Sequence, residues 1–168
     1  MKKYYHSILL FFAVSLILSL VSCNPSKKYE DAERESIDKF LNDNSDKDYQ
    51  LKTSGLYYLE VSTGTGAAPV QHDTAYVLYT GMYLNGNVFD PGEDDNGVKD
   101  TLVFPVNDGW LIPGFDEGIT YMKAGGEASF LIPSNLGYGA QGYYTIPGYS
   151  PLLYDVELVR IKPGSGGK

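Results

Sequence analysis

Side chains able to carry covalent or metal chemistry are scarce in this chain. It holds one Cys, Cys23, and two His, His6 and His72. Residues so far apart cannot converge on one ion without a large contribution from carboxylates, so no metal and no cofactor is expected. A Ser-His-Asp triad would have to use His72, but no nucleophile-elbow motif precedes a helix, and His72 reads as a surface residue. Gly137-Tyr138-Gly139-Ala140-Gln141-Gly142 fits G-x-G-x-x-G in form. A dinucleotide site needs a helix start there, and Pro147, Gly148 and Pro151 stand where that helix would run. The acidic stretch around Asp90, Glu93, Asp94, Asp95 and Asp100 is oxygen-rich, yet with Gly97 as sixth residue the EF-hand register would begin at Gly92 and end at Val103, so it reads as a solvated turn. What the chain has in excess is aromatic rings: 15 Tyr, 7 Phe and one Trp. Tyr79, Phe89, Phe104, Trp110, Phe115, Tyr138, Tyr143, Tyr144 and Tyr154 fall near loops. Most suit a core, but a small domain cannot bury them all, and a cluster at the mouth of a curled sheet would make an apolar pocket rimmed by hydroxyls. The chemistry open to such a pocket is binding and distortion, without a nucleophile.

The elements that must hold this pocket begin after a leader. Lys2 and Lys3 precede an apolar run over 8–21 broken only by Ser15 and Ser19. It is too short to span a bilayer, which takes about 20 residues, and reads as a signal peptide over 1–22. It ends in Leu20-Val21-Ser22-Cys23, which resembles the bacterial lipobox, so Cys23 is expected to accept lipid and become the first residue of the mature chain. Several acyl chains would then anchor the protein to a membrane, each buried methylene contributing about 0.8 kcal/mol. Asn24 after the Cys is not the Asp that favours inner-membrane retention, which points to a lipid-anchored protein of the bacterial cell envelope, at the outer membrane. The whole chain of 168 residues has 13 basic and 21 acidic side chains and a net charge of −8; losing Lys2 and Lys3 with the leader takes it to −10. Nucleic acid is a poor partner for that charge.

Residues 23–53 comprise the lipidated Cys, a polar tether over 24–28, a helix over 29–42 and a polar loop over 43–53. The helix carries Ala32, Ile37, Phe40 and Leu41 on a narrow apolar stripe. A stripe so thin predicts a solvated spacer, with docking on the domain or on a second copy, as a homodimer, the alternatives. From Ser54 the pattern changes to period-2 runs: 56–61, 74–84, 101–106, 128–132 and 152–161, with Asn87-Val88-Phe89 returning beside 74–84 after the Asn85-Gly86 turn. One short helix fits, starting at Pro113-Gly114, carrying Phe115, Ile119 and Met122 on one face, and stopping before Gly125-Gly126. The fold class is therefore α+β: a curled antiparallel sheet of five or six strands wrapped around one short helix, over 54–162, with 163–168 as a flexible tail.

These residues carry a family resemblance. Tyr79-Thr80-Gly81-Met82 with Asn85-Gly86 and Val88-Phe89-Asp90 resembles the Y-T-G-x-L-x-x-G-x-x-F-D signature of the FKBP-type peptidyl-prolyl isomerases. Leu111-Ile112-Pro113-Gly114-Phe115-Asp116-Glu117-Gly118 resembles their V-I-x-G-W-x-E-G segment. Ile132-Pro133, Leu136-Gly137-Tyr138-Gly139, Ile146-Pro147 and Leu153-Tyr154-Asp155-Val156-Glu157-Leu158 match I-P, x-x-Y-G, I-P and L-x-F-D-V-E-L in the same order. The likeness covers about 54–162 and implies the same sheet around one helix.

The resemblance implies an isomerase assisting the folding of exported proteins, acting on their X-Pro segments. Carried over residue by residue, it assigns catalytic roles to Tyr79, Phe89, Asp90, Ile112 and Tyr138 and substrate contact to Leu111, Phe115, Ile146 and Tyr154. Three positions depart from the family pattern. Phe115 stands for the Trp at the pocket floor, Tyr154 for a Phe, and Leu102 for an aromatic wall residue. The basic residue that often pairs with the equivalent of Asp90 is missing, leaving Lys99 as the nearest candidate and Tyr79 as the alternative. A non-catalytic proline-binding chaperone or scaffold is the competing reading.

Overall fold

The structure is a computed structural model that describes residues 25–94 and 96–164. The leader, Cys23 and Asn24 lie outside the described residues, as do the last four residues of the tail. Helix α1 (Pro25–Asp43) is followed by strands β1 (Gln50–Leu51), β2 (Tyr57–Ser62), β3 (Thr74–Tyr83), β4 (Val88–Asp90) and β5 (Leu102–Pro105). Helix α2 (Pro113–Thr120), β6 (Gly126–Ile132), a 3₁₀ turn (Ser134–Leu136) and β7 (Leu152–Lys162) complete the chain.

The seven strands form one antiparallel sheet in the order β1-β2-β6-β7-β3-β4, with β5 also on β3. β3 pairs with β7 along its whole length, while its other edge is divided between β5, opposite Thr74 to Val77, and β4, opposite Gly81 and Met82. The seventh strand is β1, in the segment expected to be a polar loop. Its two residues, Gln50 and Leu51, pair with Tyr58 and Tyr57, and a run of two is too short to announce a strand without that partner. Gly86, at a φ of 85°, closes the connection between Tyr83 and Asn87, where L side chains are disfavoured.

Period-2 alternation decides which face each strand buries. Ala75 and Val77 of β3, Ala128, Phe130 and Ile132 of β6, and Leu152, Tyr154, Val156 and Leu158 of β7 turn inward onto α2 and its buried Phe115 and Ile119. The helix sits directly on β6 because two of its residues have no side chain. A Cβ at Gly118 would lie 2.7 Å from the Phe130 ring, and one at Gly114 2.5 Å from Ile132 Cγ2. α2 ends at Thr120, short of the expected stop, yet Met122 remains buried in the core.

The N-terminal helix departs from expectation more. It begins at Pro25, inside the expected tether, where proline suits a first turn, and it docks on the domain instead of standing off as a solvated spacer. Ile37 is only 6% exposed, Phe40 meets Tyr49 edge-on at 5.9 Å, Tyr29 stacks on Tyr149 at 5.4 Å, and Glu33 accepts hydrogen bonds from Ser134. The thin apolar stripe is supplemented by aromatic and polar contacts that hydropathy does not register. Among the described residues no helix is long and apolar enough to cross a membrane.

At the other end, β7 runs to Lys162 and the Gly164 N–H donates to Asp73 at 2.9 Å, so the tail is tied to the domain through Gly164.

Candidate functional site

The register of β3 and β7 starts the site. Tyr79 lies two residues beyond Val77 on the inward face, and Tyr154 lies opposite Gly81. Gly81 leaves room for rings: a Cβ there would come within 2.7 Å of Phe89 and 3.0 Å of Tyr154. Phe115, in the first turn of α2, rises from below and meets Tyr154 edge-on at 5.1 Å, Tyr79 at 6.0 Å, Phe130 at 5.8 Å and Phe104 at 6.1 Å. Such edge-to-face pairs fix ring orientation beyond simple burial, each contributing about 0.5–1.5 kcal/mol. Over this floor opens a cavity of about 530 Å³ lined by Tyr79, Asp90, Leu102, Trp110, Leu111, Ile112, Pro113, Phe115, Tyr138, Tyr143 and Tyr154.

Of the nine candidate residues from the sequence, seven line this cavity. Phe89 and Ile146 do not. Phe89 stands behind the floor, its ring edge-on to Tyr154 at 5.7 Å and against Tyr83 at 5.1 Å. Ile146 is buried in the core at the base of a tight turn in which it and Tyr143 exchange backbone hydrogen bonds of 2.8 and 2.9 Å. Trp110, Pro113 and Tyr143 join the rim without having been assigned to it. Trp110 is 72% exposed, and its place next to Leu111 was the available signal.

The polar side chains are few and pair off, Tyr79 with Asp90 and Tyr138 with Tyr154. The Tyr79 hydroxyl donates to Asp90 Oδ2 at 2.8 Å, and the Gly92 N–H donates to Asp90 Oδ1 at 3.0 Å. Lys99 does not pair with Asp90. Its ammonium donates to the Tyr79 carbonyl, Thr80 Oγ1 and the Pro91 carbonyl at 3.1, 2.7 and 2.5 Å, bracing the loop after β4 instead. The hydroxyl that Tyr154 brings in place of a Phe bonds to Tyr138. Burial pushes the Tyr154 phenol well above its ordinary value, with the neighbouring Tyr138 adding to the effect. Burial likewise raises Tyr79, reinforced by its bond to Asp90, and raises Tyr138, opposed there by the Tyr154 bond. All three therefore stay neutral donors at neutral pH. The backbone N–H of Ile112, at the cap of α2, has no protein acceptor among the described residues, whereas its carbonyl accepts from Phe115 and Asp116.

Two loops hold the rim. Asp116, buried on α2, accepts from the N–H groups of Asn107 at 2.7 Å and Gly109 at 3.2 Å, fixing the turn that presents Trp110 and Leu111. The sequence signalled no role for this residue. Across the cavity the chain leaves the 3₁₀ turn at Tyr138, whose ring stacks on Tyr143 at 5.0 Å. The Tyr83 hydroxyl donates to the Thr145 carbonyl at 3.1 Å. The Gly137–Gly142 decoy is part of this irregular loop, and no helix follows it. In the acidic turn, Asp94 accepts from the N–H groups of Asn96 and Val98, which holds its carboxyl below the usual value. His72 is exposed and pairs with Asp108 at 2.6 Å, away from the aromatic cavity.

The chain is similar to proteins with known names. Residues 66–159 match the profile of a family described as FKBP-type peptidyl-prolyl cis-trans isomerase. A probable FKBP-type peptidyl-prolyl cis-trans isomerase FkpA from Neisseria meningitidis is 39% identical over 132 residues, 77% of this chain and 47% of that protein. FkpA of Escherichia coli K12 is 38% identical over 134 residues, 79% of this chain and 48% of that protein. The chain thus spans about half the length of the curated relatives it matches. The crystal structure of FkpA from Escherichia coli superposes with a TM-score of 0.71 at 31% identity, over 96% of this chain and 73% of that one. The crystal structure of AtFKBP13 does so with a TM-score of 0.61 at 30% identity, over 69% and 99%.

Proposed function

Because this chain belongs to the FKBP-type peptidyl-prolyl cis-trans isomerase family, we propose that it catalyses rotation about X-Pro peptide bonds in exported proteins. The observation that carries the proposal is the aromatic cavity over Phe115, with Asp90, Tyr138 and the unpaired Ile112 N–H among its lining residues. Rotation about an X-Pro amide is slow because the planar ground state is resonance-stabilised, with a barrier of about 18–20 kcal/mol. A site that binds the twisted amide better than either planar form lowers that barrier by about 1.4 kcal/mol for each tenfold in rate. An apolar pocket takes water from the polar planar amide, whose charge separation falls on twisting.

In this reading Phe115 and Tyr154 receive the proline ring, with Phe89 holding Tyr154 from behind. The Ile112 N–H and the Tyr138 hydroxyl bind substrate carbonyls, and Asp90, oriented by Tyr79, faces the twisting bond. Leu111 and Ile146 shape the walls, Ile146 from within the core. The test is exchange NMR on peptides with varied residues before proline: line-broadening between cis and trans signals at substoichiometric protein supports catalysis. Binding without acceleration establishes instead the proline-binding chaperone or scaffold, a reading that Phe115 in place of the family Trp and Leu102 in place of an aromatic wall favour.

The same proposal places the protein in the bacterial cell envelope, held at the outer membrane by lipid on Cys23, on the strength of the lipobox-like tetrapeptide. Replacing Cys23 by Ala should release it from the membrane fraction; retention there would remove the anchor. A homodimer through α1 predicts twice the chain mass for protein starting at Asn24 and a single mass for protein starting at Ser54, by light scattering.

A further inference from the structure

We propose, on the reading of the pocket given above, that Glu33 is a positioning residue for Tyr138, acting from α1 through Ser134. Both carboxylate oxygens of Glu33 are committed to that one residue: the Ser134 N–H donates to Oε1 at 2.5 Å and the Ser134 hydroxyl to Oε2 at 2.7 Å. The two residues are 101 positions apart, and Ser134 is 5% exposed. A solvated acid on a spacer helix would do none of this. Ser134 opens the 3₁₀ turn, where the first N–H groups have no partner inside the turn, and Pro133 before it brings no side-chain cap. The Glu33 carboxylate supplies that cap from another element, through charge-assisted bonds that are stronger than neutral ones.

What the capped turn does is hold Tyr138 from both sides. The Ser134 carbonyl accepts from the N–H of Gly137 at 2.9 Å and of Gly139 at 2.7 Å, so the residues on either side of Tyr138 are both tied to Ser134, the second through the peptide that joins Tyr138 to Gly139. A second hold comes from the same helix. Tyr29 stacks on Tyr149, whose N–H donates to the Gly139 carbonyl at 2.9 Å and whose φ is 58°, a conformation that needs support from its surroundings. Helix α1 thus grips the loop at Ser134 and at Tyr149, with Tyr138 and Tyr143 between these points on the cavity rim. A hydroxyl that must meet a substrate carbonyl works best when it does not have to be ordered first, and small displacements of such groups cost large factors in rate.

The test uses the full chain and compares wild type with Glu33→Ala, Glu33→Gln, Ser134→Ala and the Glu33→Ala/Ser134→Ala double variant. Glu33→Ala should lower kcat for an X-Pro peptide about tenfold with a smaller rise in KM. Glu33→Gln, which keeps one acceptor oxygen, should recover part of that loss, and the double variant should be no worse than Glu33→Ala alone. Amide exchange supplies a readout that does not depend on turnover: in Glu33→Ala, the Gly137 and Gly139 amides should exchange at least tenfold faster while those of Phe130 and Val156 in the central strands keep their protection. Unchanged exchange at Gly139, a uniform rise across the domain, or additive losses in the double variant would overturn the proposal. If Glu33→Ala releases α1 altogether, Ser134→Ala, which leaves the helix sequence intact, decides the point by the same Gly139 amide. Absence of isomerisation in wild type with accelerated exchange in the variants would sink the proposed function and leave the positioning role standing.

Discussion

The floor and the rim of the cavity are built on different principles. The floor residues Phe115 and Tyr154 belong to α2 and β7, are buried, and touch four other rings among Tyr79, Phe89, Phe104 and Phe130. The rim residues Trp110, Tyr138 and Tyr143 sit on irregular backbone and owe their places to single polar residues, Asp116 on one side and Ser134 on the other. Floor changes should therefore be felt in folding and turnover together, whereas rim changes should alter turnover with little effect on stability.

Phe115→Ala should give the largest effect, a loss of about 3–5 kcal/mol in denaturant unfolding together with loss of isomerisation. A small loss of stability would show that the ring packing does not behave as a core. Asp116→Ala comes next and breaks the separation deliberately. It leaves two N–H groups without their acceptor and should cost about 1–3 kcal/mol while lowering the affinity for peptide; normal affinity would mean that the 107–111 turn holds itself. Tyr154→Phe keeps the ring and removes the hydroxyl, so about 1 kcal/mol is expected, with a change in pH dependence. Tyr154 and Tyr79 have raised values in the folded state, and burial with the nearby Glu60 pushes Tyr58 up to about 12. The folded protein keeps these protons when the unfolded chain begins to lose them near pH 10. Stability should be level below that pH and fall above it, by up to about 1.4 kcal/mol per pH unit for each proton retained. Tyr154→Phe should flatten that alkaline fall, and an unchanged slope would show that the phenol is not withheld from water. Trp110→Ala should move stability by no more than about 0.5 kcal/mol and raise KM several-fold; an unaltered KM would take Trp110 off the substrate path.

The same division explains what was legible in the sequence. Strand positions follow from alternation, and β3, β6 and β7 lie within about two residues of where their apolar residues place them. Tyr79, Phe115 and Tyr154 could be brought together on paper because each sits in a regular element with a motif around it. Phe89 and Ile146 sit in equally recognisable motifs, yet they lie one layer back, since a linear pattern marks proximity to the cavity without saying which ring is in front. Two kinds of feature left no local trace. The β1 strand exists only through Tyr57 and Tyr58, and the docking of α1 rests on Glu33 meeting a serine a hundred positions away. A glutamate on a helix looks the same in sequence whether water or a buried backbone N–H receives it.

The way the sheet terminates bears on how the domain meets extended polypeptide. One side ends in the two-residue β1, and the other is shared by β5 and β4, of four and three residues. Long β3 and β7 are flanked on both sides, so neither offers a run of bare amides to an extended visitor. What stays unpaired among the described strands is short, β2 beyond Tyr58 and the outer edges of β5 and β4, so an extended polypeptide or a second copy of the molecule finds only a few consecutive amides on which to zip up.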